Sequence, residues 1–479
     1  MLGTSYSLDT RSLSSVLEDC IAKNYDFGTA YGRLRSSWDR DDIQKELSKR
    51  EAKDRELRRK AVEGSRIVVP GIKPRRVWDL YSNRVVPWWC CQVDFHLDNE
   101  ARPISHAWVD EVDRVDLLTP INGCEWPVPI PKGANLDLIR IEMLNLRQAY
   151  TWLDVLCLRQ RGGPREDLRV EEWKLDVPTI GGIYKHAEVV CYLSGLGLPL
   201  SLKEGDLESD WCWFRRAWTL QEVGRRRTIA GDTPDGPLHA KPIDDAGNYE
   251  SKILTRFHKQ LESVDIPRSD IYGPLSAMQH RISTNPVDKV AGLAYSLETG
   301  FIPAYYESQS LEDAWTALVN AMWLRMRGRL FFSYPEPGTG GVKWRPSWEQ
   351  VMEKPLPNDI DSRLPYVERD DDWYEGRWIE RGFVRGLAVG GEEGITRRGE
   401  LVVEDADGIS HAFRIAASHQ YPIPEDTYTL LGSWEHWVVG RRLPNKMFEK
   451  VSVLMITDHG EIGRLCKLGL SVKSRSTLA

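Results

Sequence analysis

The chain has 479 residues, 41% hydrophobic and 28% charged, with a formal net charge of -7. At roughly 150 residues per domain this length calls for two to four units, and the composition excludes wholesale disorder and collagen-like structure. Nucleic acid is not expected as a partner. Gripping phosphates takes a basic face, and the basic runs are as short as Arg58-Arg59-Lys60 and Arg225-Arg226-Arg227.

In chain order, residues 1–65 read as a charged helical arm, in which 39–59 alternate acids and bases like a solvated helix. No secretory signal opens the chain and no apolar run approaches the roughly 20 residues of a membrane span. The eight cysteines are scattered, with no C-x-x-C. Cys90-Cys91 with His96 matches no zinc spacing, so no metal is expected. Reduced, buried thiols fit a cytoplasmic protein.

Residues 66–235 read as an α/β domain. Strands are expected at 103–109, 150–158 and 187–193. Leu136, Ile139, Met143, Leu146 and Tyr150 share one face of a helix over 135–150. A second stripe, Trp173, Val177, Ile180 and Tyr184, must break or kink at Pro178 and Gly181-Gly182. A helix is expected over 210–223. Alternating strands and helices argue for a parallel sheet flanked by helices.

Residues 236–340 read as a helical segment. Its clearest helix is 310–327, with Ser310 and Asp313 at capping spacing and Trp315, Leu318, Met322 and Met326 in one stripe; Gly328 would close it. A Pro- and Gly-rich stretch over 335–357 marks a boundary. Residues 341–479 form a β-rich domain, with strand-like runs at 400–403, 411–415 and 451–456.

The phosphate-loop, nucleophile-elbow and H-E-x-x-H motifs are absent. Candidates are therefore polar residues at the carboxyl ends of strands, where an open α/β sheet keeps its ligand site. Ser105, His106, Trp108 and Asp110 crowd the end of the first strand; His106 and Trp108 read equally as satisfied core residues. Asp154 lies inside an apolar run and needs a donor or a role, because a buried unpaired carboxylate is costly. In the helix over 210–223, Trp211, Arg215, Trp218 and Glu222 fall on one face. Glu222 sits near its C-terminus, where the macrodipole disfavours an anion. The chain also has 19 Trp against 10 Phe, and Trp suits both interfaces and flat-faced ligands.

Three blocks, Ile104-Ser-His-Ala-Trp108, Trp152-Leu-Asp-Val-Leu-Cys-Leu-Arg-Gln160 and Arg216-Ala-Trp-Thr-Leu-Gln-Glu222, resemble the signature blocks of the fungal HET (heterokaryon incompatibility) domain. Thr284-Asn-Pro-Val-Asp-Lys-Val-Ala-Gly-Leu293 resembles a segment that often follows that domain. Arg159 replaces the family's usual Asp or Asn, and Val109 its usual small residue. The resemblance implies fungal non-self recognition ending in growth arrest or cell death. It also implies a remote relation to TIR domains, with a flavodoxin-like parallel sheet, some of which cleave NAD.

Trp218 followed four residues later by Glu222 matches the TIR pattern, so Glu222 is the expected catalytic residue and NAD the expected substrate, with no cofactor required. Ser105, His106, Trp108, Asp110, Asp154, Arg159, Gln160, Arg215 and Trp218 are the expected ligand contacts, with Arg159 and Arg161 toward the pyrophosphate. The resemblance further implies self-association and a non-self partner protein. In a competing reading the protein is a non-catalytic adaptor that oligomerises through its tryptophans.

Overall fold

In the computed structural model, which describes residues 11–36, 43–91, 101–264, 271–297, 299–357, 365–369, 371–392 and 394–479, the chain is mixed α/β and divides into two units. The first comprises Met1–Ile266, His280–Ser296 and Phe301–Gln309; the second comprises Pro267–Gln279, Leu297–Gly300 and Ser310–Ala479. Among the described residues no helix is long and apolar enough to cross a membrane.

The first unit is organised by a six-stranded sheet. Its strands are β1 (Arg76–Asp79), β2 (Arg84–Pro87), β3 (Arg102–His106), β4 (Tyr150–Trp152), β5 (Glu188–Tyr192) and β6 (Arg226–Ile229), in spatial order β6-β5-β3-β4-β1-β2. The strands β3 to β6 run parallel. Numbered among themselves, they lie second, first, third, fourth. The hairpin of β1 and β2 adds to one edge antiparallel, so the sheet is mixed rather than all-parallel as expected. Val77, Trp78, Ile104, Trp152, Val189 and Val190 are all buried, as strands covered on both faces require.

Two expected elements differ. The strand over 150–158 stops at Trp152. The chain then turns into a helix, Asp154–Cys157, closed by Cys157 N–H donating to the Leu153 carbonyl at 2.7 Å. The apolar run is buried in either conformation, so periodicity cannot separate them.

The helix over 210–223 does not form. Two short 3-10 turns, Trp213–Arg215 and Trp218–Leu220, replace it. Between them the backbone of Arg216 extends into a parallel bridge with Ile282. Ala217 N–H donates to Ile282 O at 2.9 Å and Ile282 N–H to Arg215 O at 2.5 Å. A partner more than 60 residues away in the chain takes the hydrogen bonds that a helix would have made internally. Trp211, Arg215, Trp218 and Glu222 therefore share no helical face.

The N-terminal arm contains helices Arg11–Ala22, Phe27–Ser36 and Ile43–Ala61; Trp38 lies outside the described residues. The long helix carries Arg50–Glu46, Arg55–Glu51 and Arg58–Asp54 pairs one turn apart. It is not a freely solvated rod. Leu47, Arg58 and Ala61 are buried, and Arg58 pairs with Asp176 at 3.3 Å. This arm belongs to the first unit.

In the second unit the helix expected over 310–327 is two helices, Leu311–Ala321 and Leu324–Ser333. Ser310 caps the first, accepting from Asp313 N–H at 3.1 Å. Met322 is extended (φ -62°, ψ 152°) and breaks the run. Gly328 ends nothing; it lies within the second helix. A Cβ there would stand 1.8 Å from the Pro365 carbonyl oxygen, so the residue is small because another backbone passes it.

The C-terminal strands are β7 (Trp373–Arg385), β8 (Arg397–Glu404), β9 (Ser410–Ala417), β10 (Asp426–Ser433), β11 (His436–Arg442), β12 (Phe448–Met455) and β13 (Val472–Thr477). All pair antiparallel, and β7 pairs with both β10 and β8. Six strands thus close into a barrel, with β13 added along the first half of β7. Leu401, Phe413, Ile415, Leu430, Trp437 and Leu454 fill it, joined by Ile462 and Leu465 from the helix His459–Lys467. The expected β-rich region is therefore an antiparallel barrel.

Candidate active site

The first unit holds a cavity of about 630 Å³ at the carboxyl ends of β3 and β4. β3 ends in Ser105 and His106, and Trp108 follows. The Asp154–Cys157 turn starts two residues after β4 and sets Asp154 at the same level. The chain over 213–222 forms a third wall and delivers Trp218 and Glu222.

Asp154 is held on both oxygens. Oδ1 faces His106 Nε2 at 2.8 Å and accepts from Val155 N–H at 2.7 Å; Oδ2 accepts from the Trp108 indole at 2.7 Å. Burial opposes ionisation, but the His106 charge and these donors outweigh it, leaving the Asp154 carboxyl below its ordinary range. His106 also loses hydration on burial, yet the Asp154 carboxylate holds its pKa above the usual value. Its Nδ1 faces the Ala107 carbonyl at 3.3 Å, so both ring nitrogens meet acceptors, as an imidazolium needs. The pair is a contact between opposite charges, half-buried on the Asp154 side and fixed by an indole.

Glu222 has the opposite environment. It is buried, and its Oε2 accepts from the Ser105 hydroxyl at 2.6 Å, while Ser105 accepts from the Trp213 indole at 2.8 Å. Burial is the dominant influence and pushes the carboxyl up to about 7; the Ser105 bond, His106 and Arg281 pull the other way, and the Asp154 charge adds to the rise. Two neighbouring carboxyls with pKa values driven apart are a recurrent sign of acid–base chemistry.

The remaining wall comes from 282–288 and 305–307, beyond the expected 66–235 domain. Arg281 lies behind it. Buried, it donates to Arg216 O at 2.6 Å and Thr219 Oγ1 at 2.7 Å, and so fixes the chain that carries Glu222. Desolvation lowers its pKa to about 10. Asp288 accepts from the Tyr305 hydroxyl at 2.7 Å and from Trp218, yet burial raises it to about 6. Trp173, Trp218 and Tyr305 form an aromatic wall, with ring centroids 6.4 Å apart in the Trp173–Tyr305 and Trp218–Tyr305 pairs.

Comparisons of the chain with family models, with curated proteins and with solved structures return no match.

Of the residues expected at the site, His106, Trp108, Asp154, Gln160, Trp218 and Glu222 line the cavity. Ser105, fully buried, stands behind Glu222. Gln160 turns its amide onto Leu158 O and Asp154 O at 3.0 and 3.3 Å and braces the Asp154 turn.

Three residues do not reach the cavity. Arg159 is 1% exposed and points into a buried ion network, 3.4 Å from Asp26 and 3.5 Å from Glu125 and Glu172, with its guanidinium 5.0 Å from the Trp126 ring centroid. Arg215 turns to Asp210 at 3.6 Å. Asp110 caps the turn Glu111–Asp113 at the surface. Arg161 lines the cavity but is bound to Glu307 at 2.9 Å.

Sequence reasoning missed Arg216, Arg281, Asp288 and Tyr305. Arg216 opens the block 216–222 and Asp288 lies in the segment 284–293, both of which resemble HET-domain stretches; Arg281 and Tyr305 lie in neither. Among the described residues no group of three His, Cys, Asp or Glu side chains is placed to hold a metal ion.

Proposed function

We propose that the cavity binds NAD and hydrolyses the bond between nicotinamide and ribose, with Glu222 as its catalytic carboxylate. The observation that carries this reading is Glu222 itself, a buried carboxyl held by Ser105 in an aromatic-walled cavity beside an ionised Asp154. As the C1′–N bond breaks, its electron pair passes to the pyridine nitrogen and neutralises the leaving nicotinamide. The ribose gains oxocarbenium character, which an adjacent carboxylate stabilises. Water then attacks C1′ and gives up a proton to Glu222. Ionised Glu222 is the active form in both steps. Trp218 and Tyr305 supply faces for the base.

The sheet topology supports the TIR-like reading. Parallel strands in the order second, first, third, fourth match the doubly wound arrangement, whose ligands sit beside the first strand at its carboxyl end. Ser105 and His106 lie there. On this reading the protein is a HET-domain effector of fungal non-self recognition that kills by consuming NAD, acting as a homo-oligomer in the cytoplasm and triggered by a partner protein.

Purified protein incubated with NAD should release nicotinamide, and Glu222→Gln should lower the rate at least 100-fold. Equal release by both proteins removes Glu222 from the chemistry. No release by either, even under crowding that promotes assembly, leaves the adaptor reading. Exposed Trp211, Trp323 and Trp434 favour that second reading, and a strict monomer by light scattering would count against it.

A further inference from the structure

Three arginines line the cavity: Arg114, Arg161 and Arg216. Two are neutralised by carboxylates. Arg114 lies 3.5 Å from Glu111 and Asp116, and Arg161 lies 2.9 Å from Glu307. Among the described residues no ion pair forms to Arg216. Among the described residues its side chain makes one hydrogen bond, a long one, 3.3 Å from one terminal nitrogen to Thr284 Oγ1.

The backbone of Arg216 is unusually well fixed. Its carbonyl accepts from Arg281 and from Thr219 Oγ1, and its neighbours pair with Ile282. A half-buried guanidinium on a rigid stem, facing a cavity, loses hydration that no ion pair among the described residues replaces. Burial accordingly depresses its pKa, although Asp288, Asp210 and Asp110 act in the other direction. An anion brought by a ligand would supply what the fold withholds, and the planar fork of Arg suits phosphate oxygens.

Building on the nucleotide reading above, we propose that Arg216, backed by Thr284, is the subsite for the phosphate groups of the substrate nucleotide. The role expected of Arg159 thus falls to an arginine 57 positions further along the chain. The subsite lies on the same short stretch of chain as Glu222, so phosphate capture and ribose placement share one scaffold. Asp288 lies near it and, when ionised, would repel phosphate. Its bonds to Tyr305 and Trp218 turn its oxygens toward donors.

The test is calorimetric titration of the full chain with ADP, adenosine and inorganic phosphate, for wild type, Arg216→Gln and Arg216→Lys. Wild type should bind ADP about 10- to 100-fold more tightly than adenosine, the range of a charge-assisted pair, with the gap narrowing as salt rises. Arg216→Gln should abolish most of that gap, and Arg216→Lys should narrow it several-fold, since Lys keeps the charge but not the fork. Should the Gln variant misfold, the Lys variant decides. Equal wild-type affinities for ADP and adenosine, or a gap unchanged in the folded variants, would overturn the assignment. Phosphate binding as tightly as ADP would mark a free-anion site and overturn it too. The hydrolase reading fails separately: ADP bound through Arg216 with no nicotinamide released sinks that reading and leaves the subsite standing.

Discussion

The Ser105 hydroxyl donates to Glu222 Oε2 at 2.6 Å and is itself held by the Trp213 indole. That one bond links the end of a core strand to the carboxyl in the cavity. It opposes the burial that drives Glu222 up to about 7. Ser105→Ala should therefore raise the Glu222 pKa further, by about one unit for a bond of ordinary strength. The pH profile of nicotinamide release would show it. Activity should climb through about pH 7 in wild type, since the ionised form acts, and through a higher midpoint in the variant. A midpoint that falls, or does not move, would show that the bond does not tune Glu222.

Glu222 should also cost the fold stability at neutral pH. Unfolded, it ionises near 4.5; folded, near 7. Below 4.5 both states are protonated and no penalty arises. As pH rises from 4.5 to 7 the unfolded state loses its proton first, and stability falls. The full loss is roughly 3 kcal/mol above pH 7. Glu222→Gln should therefore raise the melting temperature at pH 8 and leave it nearly unchanged at pH 4. A gain of equal size at both values would refer the effect to something other than ionisation.

Asp154 pushes His106 toward its charged form. In Asp154→Asn the desolvation that already opposes protonation should prevail, and the ring should be neutral at pH 7. Nitrogen chemical shifts of the imidazole read this directly: both nitrogens protonated in wild type, one in the variant. The ion pair should help the fold most between the unfolded pKa values of Asp and His. It should weaken as acid protonates Asp154 and as base deprotonates His106. An imidazolium that persists at pH 7 in the variant would assign the charge to another neighbour.

The second unit offers a test independent of function. Gly328→Ala would place a methyl 1.8 Å from the Pro365 carbonyl oxygen, so the helix or the facing segment must shift. A loss of about 1–3 kcal/mol or more is expected from overpacking, although Ala is the better helix former. Denaturant melts that show stabilisation would mean that the two backbones separate freely there.

Much of the sheet was legible in the sequence because β4 and β5 lie in short apolar runs and β3 carries the buried Ile104. The errors arose where distant hydrogen bonds overrode local pattern. Residues 213–222 carry helical spacing, but Ile282 and Arg281 claim their backbone. His106, Trp108 and Asp154 could be picked out because each stands at or just past a strand end. Arg159 could not be told from Arg216 by position, since what separates them is the company each keeps: Asp26, Glu125 and Glu172 around one, an open cavity beside the other. The barrel's closure was illegible for a similar reason, because it depends on one 13-residue strand, β7, changing partners along its length.

The wall that carries Asp288 and Tyr305 is translated after Glu222, and Tyr305 follows it by 83 positions. At roughly 5–20 residues per second, a growing chain holds Glu222 for something like ten seconds before Tyr305 exists. During that interval Arg281 is not yet in place to brace the Glu222 segment, and the cavity lacks a side. A ribosome-bound chain therefore cannot carry the finished site until Tyr305 has been made, however early its sheet folds. Assembly of the cavity thus waits on synthesis of its last wall rather than on folding of the sheet.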